Sequence, residues 1–252
     1  MGMNKAQNKS VNPAPDLIQD STARFANAVE SGLNQSPKKL PCVYFYDRTG
    51  SRIFEQICQQ PEYYCTSAET EILNRYATDI AAACENPARI VELGSGSSVK
   101  TRILLDAFTK PNKPISYYPI DVSPEILKES SSFLNRTYPS LNVEPIVASY
   151  EIGLDKLDNS EGRTLLIWLG SSIGNFEPKS AVAFLQRNCC RLKNGDRILV
   201  GIDLIKDPDV LQAAYNDSAG VTAAFNLNLL ARINRELGGD FQLEQFEHQA
   251  VF

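Results

Sequence analysis

The stretch ELGSGSSVK, Glu92 to Lys100, follows an apolar run and leads into a helix-like pattern. Gly94 and Gly96 would let the backbone approach a ligand that a Cβ would hold off. Two further residues suit the same kind of site. SYYPIDVS closes an apolar run with Asp121, a carboxylate able to accept hydrogen bonds from both hydroxyls of a ribose. WLGSSIGNFEP carries Asn175 between Gly174 and Phe176, an amide suited to holding a small polar acceptor. Nicotinamide dinucleotides and S-adenosylmethionine (SAM) both offer a ribose, so Asp121 leaves both open. The plainer reading of Asp121 is an N-cap or turn, and that of Asn175 is a turn.

Three features favour SAM. Val99 stands where a dinucleotide fingerprint needs its third glycine. SAM carries a carboxylate and an ammonium but no phosphate, so a short Gly-x-Gly loop beside a cation such as Lys100 suffices. The Asn175 loop follows the fourth apolar run, and in amino-methylating SAM enzymes that loop faces the methyl group.

These residues need a frame. Apolar runs rich in β-branched and aromatic residues occupy 89–93, 116–122, 143–149, 164–170 and 196–204. Their near-continuous apolarity predicts strands of a parallel sheet covered on both faces. Helices are expected between them over 100–108, over 124–138 with Ser123 as N-cap and Pro124 at N1, and over 178–192. This alternation predicts an α/β class: a doubly wound, Rossmann-like sheet with a ligand crevice at the carboxyl ends of its strands.

Before residue 89 the expected features are helical periodicity over 16–33, a turn at Thr49-Gly50, a short amphipathic helix stopped by Pro61, and a Thr66/Glu69 capping box opening a helix to about residue 83. After residue 204, DPDVLQAAYNDSAG and VTAAFNLNLLARINRELGG read as two helices, the second closed by Gly238-Gly239. Phe225, Leu229 and Ile233 share one face of it, with Asn226 and Asn228 directed to the cleft. FEHQAVF reads as the start of a strand, which leaves a sheet edge open to self-association.

The net charge of −5 lacks the basic footprint of a nucleic-acid binder. No apolar run approaches the roughly 18 residues of a membrane span, and MGMNKAQNKS has no secretory signature. The six cysteines, with no CxxC pair, read as reduced thiols of a cytoplasmic protein. Cys189 and Cys190 read as buried small apolar residues, Trp168 as core and His248 as structural or surface. Tyr63, Tyr64 and Tyr215 have a plain reading as packed aromatics.

YDRTGSRIFEQICQQPEYYCTSAETEIL, ELGSGSSVKTRILLDAF, YPIDVS, LGSSIGNFEP and DLIKDPDVLQAAYNDSAGVTAAFNLNLLARINRELGGDF occur in one order from about residue 40 onward. Together they resemble the histidine-specific, SAM-dependent methyltransferase family, which includes the histidine Nα-methyltransferases of ergothioneine biosynthesis. The resemblance implies a SAM-binding Rossmann-like domain and a smaller, mainly helical substrate lobe. The polar residues 1–16, with Pro13 and Pro15, read as a disordered segment or an arm; the chain then divides into 17–65 as the first part of the lobe, 66–205 as the SAM domain and 206–252 as a helical lobe segment. By matching positions Gly94, Gly96, Lys100 and Asp121 hold SAM, Ser149 and Tyr150 meet the adenine, and Tyr46 lies at the SAM edge. Tyr64, Asn175 and Tyr215 match the amino-acid pocket, with Tyr64 toward the substrate side chain. Ser149 stands where the family has Asp, which predicts weaker SAM binding. The family continues beyond FEHQAVF, so the resemblance implies a chain without the family's C-terminal segment.

The expected function is transfer of a methyl group from SAM to the α-amino group of an amino acid, histidine foremost. This needs a small-molecule partner and neither nucleic acid nor membrane. A shortened, non-catalytic SAM-binding relative and a nucleotide-dependent oxidoreductase are the alternatives.

Overall fold

The computed structural model describes residues 15–251 apart from residue 86 and segments 110–113 and 158–161, with side chains from residue 22 onward. The arm expected over 1–16 therefore lies outside the described residues except at its end, where helix α1 (Pro15–Asn34) already begins.

The strands are β1 (Arg89–Leu93), β2 (Ile115–Asp121), β3 (Leu141–Val143), β4 (Ile146–Val147), β5 (Thr164–Trp168) and β6 (Arg197–Val200). They form one sheet in the order β3-β2-β1-β5-β6, with β4 also on β2, and every pairing is parallel. Between them run α4 (Val99–Phe108), α5 (Pro124–Thr137), α6 (Tyr150–Asp155) and α7 (Pro178–Cys189). Chain order reverses between β1 and β5, which opens the crevice expected of a doubly wound sheet above β1.

Successive strand residues point to opposite faces, and both faces are covered. Ile90, Leu165 and Ile167 pack with Leu104, Leu105 and Phe108 of α4 and with Leu73 of helix α3 (Tyr64–Ala83). Val91, Leu93, Leu166 and Trp168 pack on the other face with Leu154 of α6 and Phe184 of α7. Trp168 is fully buried, with ring centroids 4.8 Å from Phe184 and 5.6 Å from Phe176. Trp168→Ala is expected to cost about 3–5 kcal/mol of unfolding free energy, read from urea midpoints.

The remaining helices are α2 (Arg48–Ile57), α8 (Pro208–Ala214) and α9 (Val221–Leu237). Phe25 and Val29 of α1 bury against Leu229 and Ile233 of α9, while Ile57, Tyr63 and Ala214 surround Phe225. The one-face spacing of Phe225, Leu229 and Ile233 is thus used as expected. Gly238, at φ +70, closes α9 in the left-handed conformation that favours glycine.

Several expectations are corrected. Thr49-Gly50 is no turn. Asp47 caps α2 by accepting from Gly50 N at 2.7 Å, and the helix runs through both residues. There is no Thr66/Glu69 capping box: α3 begins at Tyr64, and the Glu69 carboxylate turns away to Gly170 N, 2.9 Å from Oε1. The run over 143–149 is split at Pro145, which has no N–H for a ladder. The run over 196–204 keeps its pairing only through Val200. FEHQAVF is not a strand: residues 246–251 carry no regular structure, and Phe246 instead meets the Phe241 ring edge-on at 5.6 Å. Cys189 and Cys190, at the end of α7, are exposed.

Asn226 and Asn228 serve the fold. Asn228 donates to Asp47 at 2.8 Å, fastening α9 to the cap of α2. Asn226 donates to Nδ1 of His248 at 2.9 Å, while His248 Nε2–H donates to the Tyr215 carbonyl at 2.7 Å. His248 therefore ties the C-terminal stretch to the end of α8, a structural part. No helix among the described residues is long and apolar enough to cross a membrane.

Candidate active site

The glycine loop leaves β1 directly beneath the switch point. Gly94 adopts φ +70 and Gly96 φ +49, conformations that an L side chain enters only with strain. A Cβ on Gly94 would stand 2.8 Å from the Tyr150 hydroxyl, so the loop and α6 close together only with glycine there. Gly94 N donates to Ile120 O at 2.8 Å, drawing the loop onto the end of β2.

Asp121 ends β2 and faces that loop. Its Oδ2 accepts from Gly96 N at 2.9 Å and its Oδ1 from Ser123 N at 3.0 Å. Burial raises its pKa above the ordinary value, against the opposing pull of those two N–H groups. Each carboxylate oxygen retains a second lone pair, so the group still has acceptor capacity for a diol. Ser123 caps α5 by position, without a side-chain bond.

Beneath the loop lies a polar network that the sequence did not single out. Glu92, 3% exposed, accepts from Thr101 Oγ1 at 2.5 Å and from the Tyr117 hydroxyl. Ser98, left-handed at φ +55, lies 3.2 Å from the same hydroxyl. Burial pushes the Glu92 pKa up to about 7, against the hydrogen bonds from Thr101 and Tyr117. The signal was available: an acidic residue among the apolar Ile90, Val91 and Leu93 of β1, two residues before Gly94.

Tyr150 and Tyr46 frame the loop. The Tyr150 ring sits against Trp168 at 5.9 Å; burial first, then the Asp121 charge, raises its pKa to about 12. Tyr46 packs edge-on against Phe54 and Phe225, and burial, with Tyr150 and Asp121 nearby, drives its pKa up strongly. Ser149 precedes α6 in extended conformation and its carbonyl accepts from Gly153 N at 2.8 Å.

Lys100 is brought to the same end of the sheet, paired with Glu69 of α3. Glu69 also accepts from Gly170 N, so α3, α4 and the loop after β5 meet at one carboxylate. A Cβ on Gly201 would lie 2.0 Å from Glu69 Oε1; only glycine leaves that space.

Of the three residues assigned to an amino-acid pocket, Asn175 ends a short turn (Ser172–Asn175) after β5 and is exposed. Tyr64 opens α3 and hydrogen-bonds Asp203 and Lys206 beyond the end of β6. Tyr215 is 45% exposed, and its ring meets Tyr63 at 5.9 Å. Its pKa is raised to about 12 by burial and then by the neighbouring Cys65 and Asp203, which ties it to the Tyr64 group. Asp203 was missed because the run over 196–204 read as strand to its end, and Lys206, two residues past that run, stood in no motif. A cavity of about 290 Å³ lies at the opposite end of the sheet, lined by Arg89, Asp155, Asn188 and Arg191 among others. It contains none of these residues.

A parallel, Rossmann-like sheet with a glycine loop at its switch point and a carboxylate at the end of the next strand is a doubly wound α/β protein with a ligand crevice at the carboxyl ends of its strands. The chain belongs to the histidine-specific, SAM-dependent methyltransferase family, whose model matches residues 25–252. It is 43% identical to a histidine N-alpha-methyltransferase of Mycolicibacterium smegmatis, over 93% of this chain and 73% of that protein. It is 42% identical to one of Mycobacterium tuberculosis, over 88% and 68%. A solved plantazolicin methyltransferase in complex with SAH aligns over 88% of this chain and 78% of its own, at 15% identity and a TM-score of 0.46.

Membership of that SAM-dependent family makes SAM the methyl donor, and the residues present fit it. The Gly94–Gly96 cradle admits a close ligand, Asp121 keeps acceptor capacity for a ribose diol, and no phosphate-sized turn is needed at Val99. The family assignment removes the oxidoreductase reading.

Proposed function

We propose that this chain methylates the α-amino group of an amino acid, with histidine as the preferred acceptor. The observation that carries this is the 42–43% identity, across most of the chain, to two proteins named for histidine N-alpha-methylation. In this reading Gly94, Gly96, Lys100, Asp121, Ser149, Tyr150 and Tyr46 hold SAM. Tyr64, Asn175 and Tyr215 hold the amino acid, Asn175 and Tyr215 at its α end and Tyr64 toward its side chain. Residues 66–205 act as the SAM domain, and 17–65 with 206–252 as the lobe that closes over the acceptor.

Bound SAM supplies an electrophilic methyl carbon, which an amine lone pair attacks in line while the carbon–sulfur bond breaks. The protein's share is placement. Asp121 and the glycine loop fix the nucleoside, and Lys100 stands for the α-carboxylate. The acceptor nitrogen must arrive neutral and near about 3 Å from the methyl carbon, so orientation and exclusion of water carry much of the rate. Its displaced proton leaves to solvent.

Calorimetric titration of amino acids into the protein saturated with S-adenosylhomocysteine tests this reading. Histidine is expected to bind tightest, and Asn175→Ala to weaken it about 10-fold or more with the nucleoside affinity unchanged. Equal binding of unrelated amino acids, or none of any, would remove histidine as the acceptor.

A further inference from the structure

The group around Tyr64 has a directionality that the functional reading does not use. Lys206 Nζ donates to the Tyr64 hydroxyl at 2.8 Å, to Asp203 Oδ1 at 2.6 Å and to the Leu204 carbonyl at 2.7 Å. An ammonium has three hydrogens and no acceptor, so all three are committed. Its bond to Tyr64 must therefore use a lone pair of the phenol oxygen. Tyr64 in turn hydrogen-bonds Asp203 Oδ2. An ionised carboxylate only accepts, so the phenol hydrogen points at Asp203. What the Tyr64 oxygen has left to offer a ligand is acceptor capacity alone.

This arrangement is held from several sides. The Lys206 ammonium lies 4.5 Å from the centroid of the Tyr64 ring. Asp203 is fixed by its own N–H, which donates to Ser171 Oγ at 2.9 Å. Ser171, left-handed at φ +52, starts the turn that ends in Asn175. Tyr64, the Asn175 loop and the chain beyond β6 are thus one hydrogen-bonded unit. The protonation states agree: burial, then the bond to Asp203, raises the Tyr64 pKa to about 12. Burial works against the Asp203 carboxylate, but the bonds from Lys206 and Tyr64 outweigh it and lower its pKa.

We propose that Asp203, braced by Lys206, is a positioning residue that fixes the Tyr64 hydroxyl as a hydrogen-bond acceptor, so that the pocket selects an acceptor amino acid whose side-chain ring carries an N–H. The proposal rests on the functional reading above, which puts Tyr64 beside the substrate side chain. It adds that shape alone does not suffice: a ring of imidazole size without an N–H would face an oxygen that has no hydrogen to give.

The test compares histidine with 3-(4-thiazolyl)alanine, whose ring has similar size but no N–H, by titration into the protein saturated with S-adenosylhomocysteine. The wild type is expected to prefer histidine by about 10- to 100-fold, the cost of a missing or opposed hydrogen bond in a desolvated pocket. Asp203→Asn releases the phenol hydrogen to turn toward the ligand, so the preference is expected to shrink to about threefold or less with nucleoside affinity unchanged. Tyr64→Phe, which keeps the ring, is the second variant and should lose the preference likewise. Lys206→Met leaves the Tyr64–Asp203 bond in place and should keep it. A preference that survives in both Asp203→Asn and Tyr64→Phe, or a wild type that binds both ligands equally, overturns the proposal. A wild type that binds no amino acid at all overturns the functional reading itself, and the proposal with it.

Discussion

Asp121→Ala is expected to raise the dissociation constant for SAM about 100-fold or more, because hydrogen bonds to a charged acceptor are worth roughly 1.5–3 kcal/mol each and a ribose diol makes two. The substitution acts twice. It removes the acceptor from the nucleoside, and it frees Gly96 N, which donates to Asp121 Oδ2 at 2.9 Å and shapes the loop. Asp121→Asn is the informative companion. It keeps one acceptor oxygen but turns an NH₂ group toward a backbone N–H, so it should lie near alanine rather than near wild type. Calorimetry with SAM reads both. Binding by Asp121→Ala within about threefold of wild type would mean that the nucleoside is held elsewhere.

Glu92→Gln is expected to remove a pH dependence of stability. The folded-state pKa of about 7 stands above the ordinary value of 4.5, so folded protein keeps a proton that unfolded chain has released. Stability therefore falls as pH rises from about 4.5 through about 7 and is flat above it, a loss on the order of 3 kcal/mol. Glutamine has the same shape and never ionises. Urea midpoints of the wild type should drop between pH 5 and pH 8, while those of Glu92→Gln hold or drop much less. Parallel curves for the two proteins would show that Glu92 is not the titrating group. The difference between them isolates Glu92 from Asp121, which burial also shifts upward.

Much of the frame is legible because a strand covered on both faces must be apolar throughout. Residues 89–93 became β1 without change, and α5 opens at Pro124 as expected, although Ser123 takes the cap position without its side-chain bond. The pattern was silent where a tertiary partner decides. Asp203 sits in an apolar run, yet pairing stops at Val200. Glu69 Oε1 occupies the space that a Cβ on Gly201 would take, and beyond it the chain leaves the sheet. Glu69 has the spacing of a capping box but spends its carboxylate on Lys100 and Gly170, partners 31 and 101 residues away in the chain. FEHQAVF has the composition of a strand, but Phe246 and His248 find partners in Phe241, Asn226 and Tyr215 instead of a ladder.

The site divides the same way. Gly94, Gly96 and Asp121 are local signals, each fixed by where a strand ends. Tyr64, Asn175 and Tyr215 come from separate parts of the chain, and only the family resemblance joined them in advance. The fold links the first two through Asp203 and Ser171, and the third meets the ring of Tyr63, the residue before Tyr64, at 5.9 Å.

The most direct test of this account is to incubate the protein with SAM carrying a trideuterated methyl group and with histidine, then locate the label by fragmentation mass spectrometry. Histidine is expected to carry the label on its α nitrogen, with S-adenosylhomocysteine formed in step. Label on a ring nitrogen, or SAM bound without any labelled amino acid, would contradict it.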